Sequence, residues 1–145
     1  MNEIFFIDRC LGKTLADSLG KVGATVEIHD DHFIRDMKDE DWLRIVGQDN
    51  WVVLTKDKKI ASRPLELLAV AQGNVRLFVF VDGDVPGVVV AQGFVKVLEK
   101  MQRFILDNQA PFIAKVDKSG MVKSYKNREE LLKMLPKTTS QINLP

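Results

Sequence analysis

The chain has 145 residues, 46% hydrophobic and 28% charged, with a formal net charge of +1. That length suits one domain with an ordinary core, and the near-neutral balance excludes bulk attraction to nucleic acid, so any basic patch must be local. A single cysteine excludes an internal disulfide and fits a reducing cytosol. No apolar stretch approaches the roughly 20 residues that cross a bilayer. With an acid already at Glu3, no signal peptide is expected. A cytoplasmic protein without a membrane partner is therefore the expectation.

In chain order, Glu3 to Asp8 reads as a short buried strand, and Leu11 to Val22 as a helix with an apolar stripe of Leu11, Leu15, Leu19 and Val22, closed by Gly23. Thr25 to Ile28 is a second strand. The polar run from His29 to Lys38 reads as a loop over the sheet's carboxyl edge. Asp39 suits the N-cap of a helix whose inner face carries Trp42, Leu43 and Val46. Trp51 to Leu54 is a third strand, with Trp51 at its entry. Arg63 to Gln72 is helical, with Pro64 at the first helical position. Val75 to Val81 is a fourth strand, and Val89 to Asp107 one long helix. Phe112 to Val116 and Val122 to Tyr125 pair as a hairpin, either on the sheet's edge or outside it. Arg128 to Leu135 forms a short helix, and Lys137 to Pro145 a polar arm that a partner would order. Apolar strands alternating with amphipathic helices predict an α/β fold: three layers, α/β/α, around a mainly parallel sheet.

Three aspartates stand out. Asp8 ends the run Ile4-Phe5-Phe6-Ile7, Asp57 closely follows Trp51-Val52-Val53-Leu54, and Asp39 opens the helix leading into that second run. Open parallel sheets bind ligands beyond the carboxyl ends of their strands. If the two strands are neighbours, the acids share one edge. Carboxylates gathered there repel one another unless a hard cation such as Mg²⁺ or Mn²⁺ joins them. Singly, each aspartate is equally explained as an acid at a strand end or helix start. Nearby, Arg9, Lys13, Lys56, Lys58, Lys59 and Arg63 could follow an RNA backbone or form a solvated basic turn. His29 and His32, beside Asp30 and Asp31, lack a third strong ligand for zinc. Cys10 has no evident base and reads as packing.

Asp39-Glu40-Asp41-Trp42 followed by Trp51-Val52-Val53-Leu54-Thr55-Lys56-Asp57 resembles the closing half of a PIN domain, and Phe5-Phe6-Ile7-Asp8 its opening strand and first metal-binding aspartate. The resemblance is closest to the short PIN-like domains grouped with VapC-type toxins and covers about residues 3 to 117. It implies a PIN-like domain over residues 1–126, with residues 127–145 a short helix and polar arm. It also implies a metal-dependent endoribonuclease of a toxin–antitoxin pair, acting on single-stranded or structured RNA. Asp8, Asp39 and Asp57 would be catalytic and metal-binding, with Mg²⁺ or Mn²⁺ as cofactor. RNA contacts would fall to Arg9, Lys13, Lys56, Lys58 and Lys59. Partners would be RNA, an antitoxin and a second copy of the chain.

One departure is plain. The family's fourth acid, a glutamate on a helix, has no counterpart, and Asp30, Asp31, Glu40 or Asp41 would have to replace it. The gap keeps open a scaffold that binds RNA or protein without cutting. A phosphorylation receiver would need a second acid beside Asp8, where Arg9 stands, and a haloacid-dehalogenase-type phosphatase an aspartate at position 10, where Cys10 stands. For self-association, Phe94, Val95, Leu98, Met101 and Ile105 offer more apolar surface than one helix face needs.

Overall fold

A computed structural model describes residues 3–136. The expected polar arm from Lys137 to Pro145 lies outside the described residues. Six strands, β1 (Ile4–Ile7), β2 (Thr25–Ile28), β3 (Val52–Thr55), β4 (Arg76–Phe80), β5 (Phe112–Val116) and β6 (Val122–Lys126), form one sheet in the order β2-β1-β3-β4-β5-β6. All neighbouring pairs are parallel except β5 with β6. The hairpin thus joins the main sheet as its antiparallel edge.

Strand alternation divides the core in two. Phe5, Ile7, Val52, Leu54, Phe78, Phe80, Phe112 and Ala114 face one side, where α1 (Gly12–Lys21), α4 (Gly87–Lys96) and α5 (Leu98–Asp107) cover them. Phe6, Val53, Leu77, Val79 and Ile113 face the other, under α2 (Asp39–Gln48), α3 (Pro64–Gln72) and α6 (Arg128–Leu132). This is a three-layer α/β/α arrangement, and strands buried on both faces explain the unbroken apolar runs.

The structure corrects several expectations. The long helix is broken at Val97, whose N–H is shared between the carbonyls of Gly93 and Phe94 while its backbone turns to φ −102°, ψ 12°. Past this bend, Phe104 reaches Phe78 and Phe112 at ring separations of 5.8 and 4.9 Å. The apolar periodicity runs through the bend, so it could not signal it. Phe94 and Met101 are buried, and Val95, Leu98 and Ile105 pack against the same core, so the surplus apolar surface serves burial between layers. Val22 lies beyond the end of α1 and is exposed. The loop from His29 begins with a 3-10 turn over His29–Asp31.

The order of strands matters most for function. The chain steps from β1 outward to β2, then returns across β1 to β3. The helix after β1 lies on one face of the sheet and the helix after β3 on the other, so the loops diverge and leave a crevice at the carboxyl ends of β1 and β3. Such a switch point is where open α/β sheets bind ligands.

Candidate functional site

Asp8 sits at that crevice. Its amide donates to the Leu54 carbonyl at 3.0 Å, carrying the β1–β3 pairing one residue past the strand. The residue is only 7% exposed. The fully buried Thr55 donates its hydroxyl to Asp8 Oδ2 at 2.7 Å and accepts the Asp57 amide at 3.0 Å. One hydroxyl therefore bridges the first and third aspartates. Burial pushes the Asp8 carboxyl above its usual range; the Thr55 hydrogen bond opposes this, and the neighbouring negative charge of Asp39 adds to it.

Asp39 reaches the same edge because α2 begins there. It is the first residue of the helix, and Lys38, not Asp39, occupies the N-cap position without a side-chain cap. The Asp39 carboxylate is used differently: its Oδ1 accepts from the indole N–H of buried Trp42 at 3.0 Å. One turn of helix brings residue i+3 over residue i, so the indole orients the acid. Asp57 is half-buried, and its Oδ1 accepts the Lys59 amide at 3.0 Å.

The three acids therefore share one edge without converging as a ready-made trio. Among the described residues, no group of three or more His, Cys, Asp or Glu side chains is placed to hold a metal ion. Thr55 stands between Asp8 and Asp57, and Asp57 folds back on its own turn. What remains is a pair, Asp8 and Asp39, each held by a neutral donor through one oxygen. That fits Mg²⁺ or Mn²⁺ chemistry, since Mg²⁺ is usually held by one or two carboxylates, with water and substrate phosphate completing its shell. The Thr55 hydroxyl and Trp42 indole are then the outer partners that fix ligand orientation.

The substitutes proposed for a fourth acid fare unevenly. Asp41 pairs outward with Arg44 at 3.6 Å. Asp30 is engaged by Arg9 at 3.1 Å and by His29 at 3.3 Å. Asp31 is exposed and lines a cleft of about 200 Å³ with Asp8, Arg9, Lys13 and His29. Glu40 is half-buried at the second position of α2, where its carbonyl accepts from Arg44. His32 lies 3.3 Å from Glu27 and packs against Trp51, away from Asp8. The basic residues divide as well. Arg9 and Lys13 belong to that cleft, whereas Lys58 lines a groove on the other side of Asp57. Lys56 is half-buried, and Lys59 is exposed on the Asp57 turn.

The family model described as a PIN like domain matches residues 3–97. The chain belongs to the PIN like domain family. No curated protein and no solved structure matches it. The three-layer α/β/α arrangement is consistent with that family, whose fold is of the nuclease type.

Sequence reading missed several parts of this PIN-like domain's site. Thr55 was visible only as a hydroxyl beside an acid. Trp42 was legible as core, but its hydrogen bond to Asp39 follows from helix phase. Cys10 is also corrected: it is exposed as a residue, yet its sulfur lies 3.5 Å from both Asp8 Oδ2 and Thr55 Oγ1. Burial and the Asp8 charge push its thiol up to about 11. At pH 8 it should react with a disulfide reagent roughly a hundredfold more slowly than an unperturbed cysteine, because the thiolate is the attacking species. Colour release from dithionitrobenzoate measures this; a normal rate would separate the thiol from the acids.

Proposed function

We propose that this PIN-like domain is a metal-dependent endoribonuclease that cleaves phosphodiester bonds in single-stranded or structured RNA. Asp8, Asp39 and Asp57 are its acidic residues, and Mg²⁺ or Mn²⁺ its cofactor. The observation that carries the reading is the buried Asp8 carboxylate at the β1–β3 switch point, with Asp39 close enough to raise its proton affinity. Two repelling carboxylates in a partly dry crevice favour a bound cation over leaving the charges bare. A divalent ion bound there would supply Lewis-acid chemistry, polarising a phosphate and lowering the pKa of an attacking water. Asp8 and Asp39 hold the ion, Thr55 and Trp42 keep them aimed, and Asp57 lies on the open side with Asp31 and Glu40 at the margins. Arg9, Lys13, Lys56, Lys58 and Lys59 steady the phosphates on either side of the cut.

Protons compete with the metal for the same oxygens, so affinity falls with pH, and the raised Asp8 value brings that loss closer to neutrality. In calorimetry with Mn²⁺, affinity should drop as pH goes from 7 to 5 and fall at least about tenfold in Asp39→Asn. Undiminished binding in both Asp39→Asn and Asp57→Asn would leave no metal site at this edge.

The second reading is a scaffold that binds RNA without cutting, favoured by the missing trio of acids among the described residues. Incubating purified protein with single-stranded RNA, in Mg²⁺, in Mn²⁺ and in chelator, discriminates the two. Cutting only with metal supports the nuclease, whereas binding without cutting supports the scaffold. In the resemblance to VapC-type toxins we read a cytoplasmic toxin with an antitoxin and a homodimeric state. A small open reading frame for an antitoxin beside the gene supports that assignment. Residues 1–126 then form the nuclease domain, followed by the short helix and polar arm of residues 127–145, of which the tail after Leu135 contacts the partner. No helix among the described residues is long and apolar enough to cross a membrane.

A further inference from the structure

Beyond the residues that match the family, the β5–β6 hairpin builds a groove of about 230 Å³ lined by Lys58, Ser62, Val79, Val81, Lys115 and Tyr125. It lies on the face of the sheet that carries α2, since Val79 and Val81 pack with that side's core and Lys115 follows Ile113 by two residues. Its near wall begins at Lys58, the residue after Asp57. Its far wall is Tyr125, 37% exposed on the edge strand. The crevice of Asp8 and the groove are therefore consecutive stations along one carboxyl edge.

The chemistry of the lining is that of a single-strand platform. The Lys115 ammonium stands 4.0 Å from the centre of the Tyr125 ring, and that of Lys126 stands 5.1 Å away. Lysines on an outer strand are often there to block edge pairing, which accounts for Lys123 and Lys126. Lys115 is different, being half-buried on an interior strand and turned into the groove. The nearby acids form no ion pair with it; Asp57 accepts instead from the Lys59 amide, Asp82 from the Lys118 amide, and Asp117 from the Ser119 and Met121 amides. Among the described residues, no carboxylate lies within 4.0 Å of the Lys58 or Lys115 ammonium.

We propose that this groove is a subsite for single-stranded RNA, taking one nucleotide next to the cleavage site, with its base on Tyr125 and its phosphate between Lys58 and Lys115. An exposed cation–π contact is weak enough for a base to displace, which frees Lys115 to move to the phosphate. The proposal rests on the ribonuclease reading for the path of the strand, but not for the groove's affinity.

The test is fluorescence anisotropy with a labelled twelve-nucleotide oligouridylate, in chelator so that nothing is cut. Tyr125→Leu should weaken binding about tenfold, within the roughly fivefold to hundredfold range of one lost stack, and Tyr125→Phe should leave it unchanged. Lys115→Ala should reduce the salt slope by about one phosphate contact. Both variants are checked for a native melting transition, and Lys115→Ala decides the matter if Tyr125→Leu does not fold. If Tyr125→Leu and Lys115→Ala bind as the parent while metal-dependent cutting is present, the groove is overturned and the nuclease stands. If binding depends on both residues but no cutting occurs, the groove stands and the nuclease falls. Absence of any RNA binding overturns the groove outright.

Discussion

Asp8→Asn should abolish metal-dependent RNA cleavage while leaving the protein at least as stable as before. The activity side follows from charge. A metal site stabilises a transition state by several kcal/mol, and losing that corresponds to about a thousandfold or more in rate. The stability side follows from the direction of the Asp8 shift. Its folded-state pKa lies above the ordinary 3.8, so the folded chain binds this proton more tightly than the unfolded chain does. Stability therefore declines as pH climbs from about 3.8 through the folded value, and remains lower above it. Asparagine removes that cost and still offers Thr55 an acceptor oxygen. The melting temperature of the variant should match or exceed that of the parent at pH 7 in chelator, and the difference should shrink as pH approaches 4. Unimpaired cutting would take Asp8 out of the chemistry. A melting temperature several degrees lower at pH 7 would make it a structural residue instead.

The largest stability effect is expected from Gly47→Ala. Glycine to alanine inside an exposed helix normally gains about 1 kcal/mol. At Gly47 a new Cβ would stand 2.1 Å from the Gly73 carbonyl oxygen and 2.7 Å from Val75 Cγ2. The first of these is backbone, which cannot swing aside, so α2 must lift from α3. Overpacking of this kind costs about 3 kcal/mol and outweighs the propensity gain. Gly20→Ala is the matched control, since it lies in α1 with nothing within 4 Å and should stabilise by about 1 kcal/mol. Denaturant midpoints with unchanged m-values read both effects. Cleavage should also fall in Gly47→Ala, because Asp39 rides on the first turn of the displaced helix. Equal midpoints for the two variants would show that the helices separate freely.

Much of this fold was legible because its signals are local and repeated. Buried parallel strands leave continuous apolar runs, so Ile4–Ile7, Val52–Thr55 and Arg76–Phe80 lay close to where composition placed them. Pro64 marked the start of α3 for a reason that involves only its own ring. The break at Val97 left no such mark. Nor did the placement of the hairpin, which depends on β4 having a free side. The site divided in the same way. Aspartates next to strands could be read as candidates, but their partners could not. Thr55 reaches Asp8 across 47 positions of chain, and that contact exists only because β1 and β3 are neighbours. Lys115 and Tyr125 are ordinary residues of a hairpin until the sheet order brings them beside Lys58.

The break at Val97 has a wider meaning, because the family match ends at the same residue. The core does not end there. Phe78 on β4 packs against Phe104 and Phe112, and Leu131 completes the opposite layer. An excised segment of residues 3–97 would bare one whole flank of β4 and invite intermolecular sheet growth. In this chain the matched stretch stops short of the core it shares, so residues 3–97 alone should expose β4 and aggregate where residues 1–145 stay monodisperse in gel filtration.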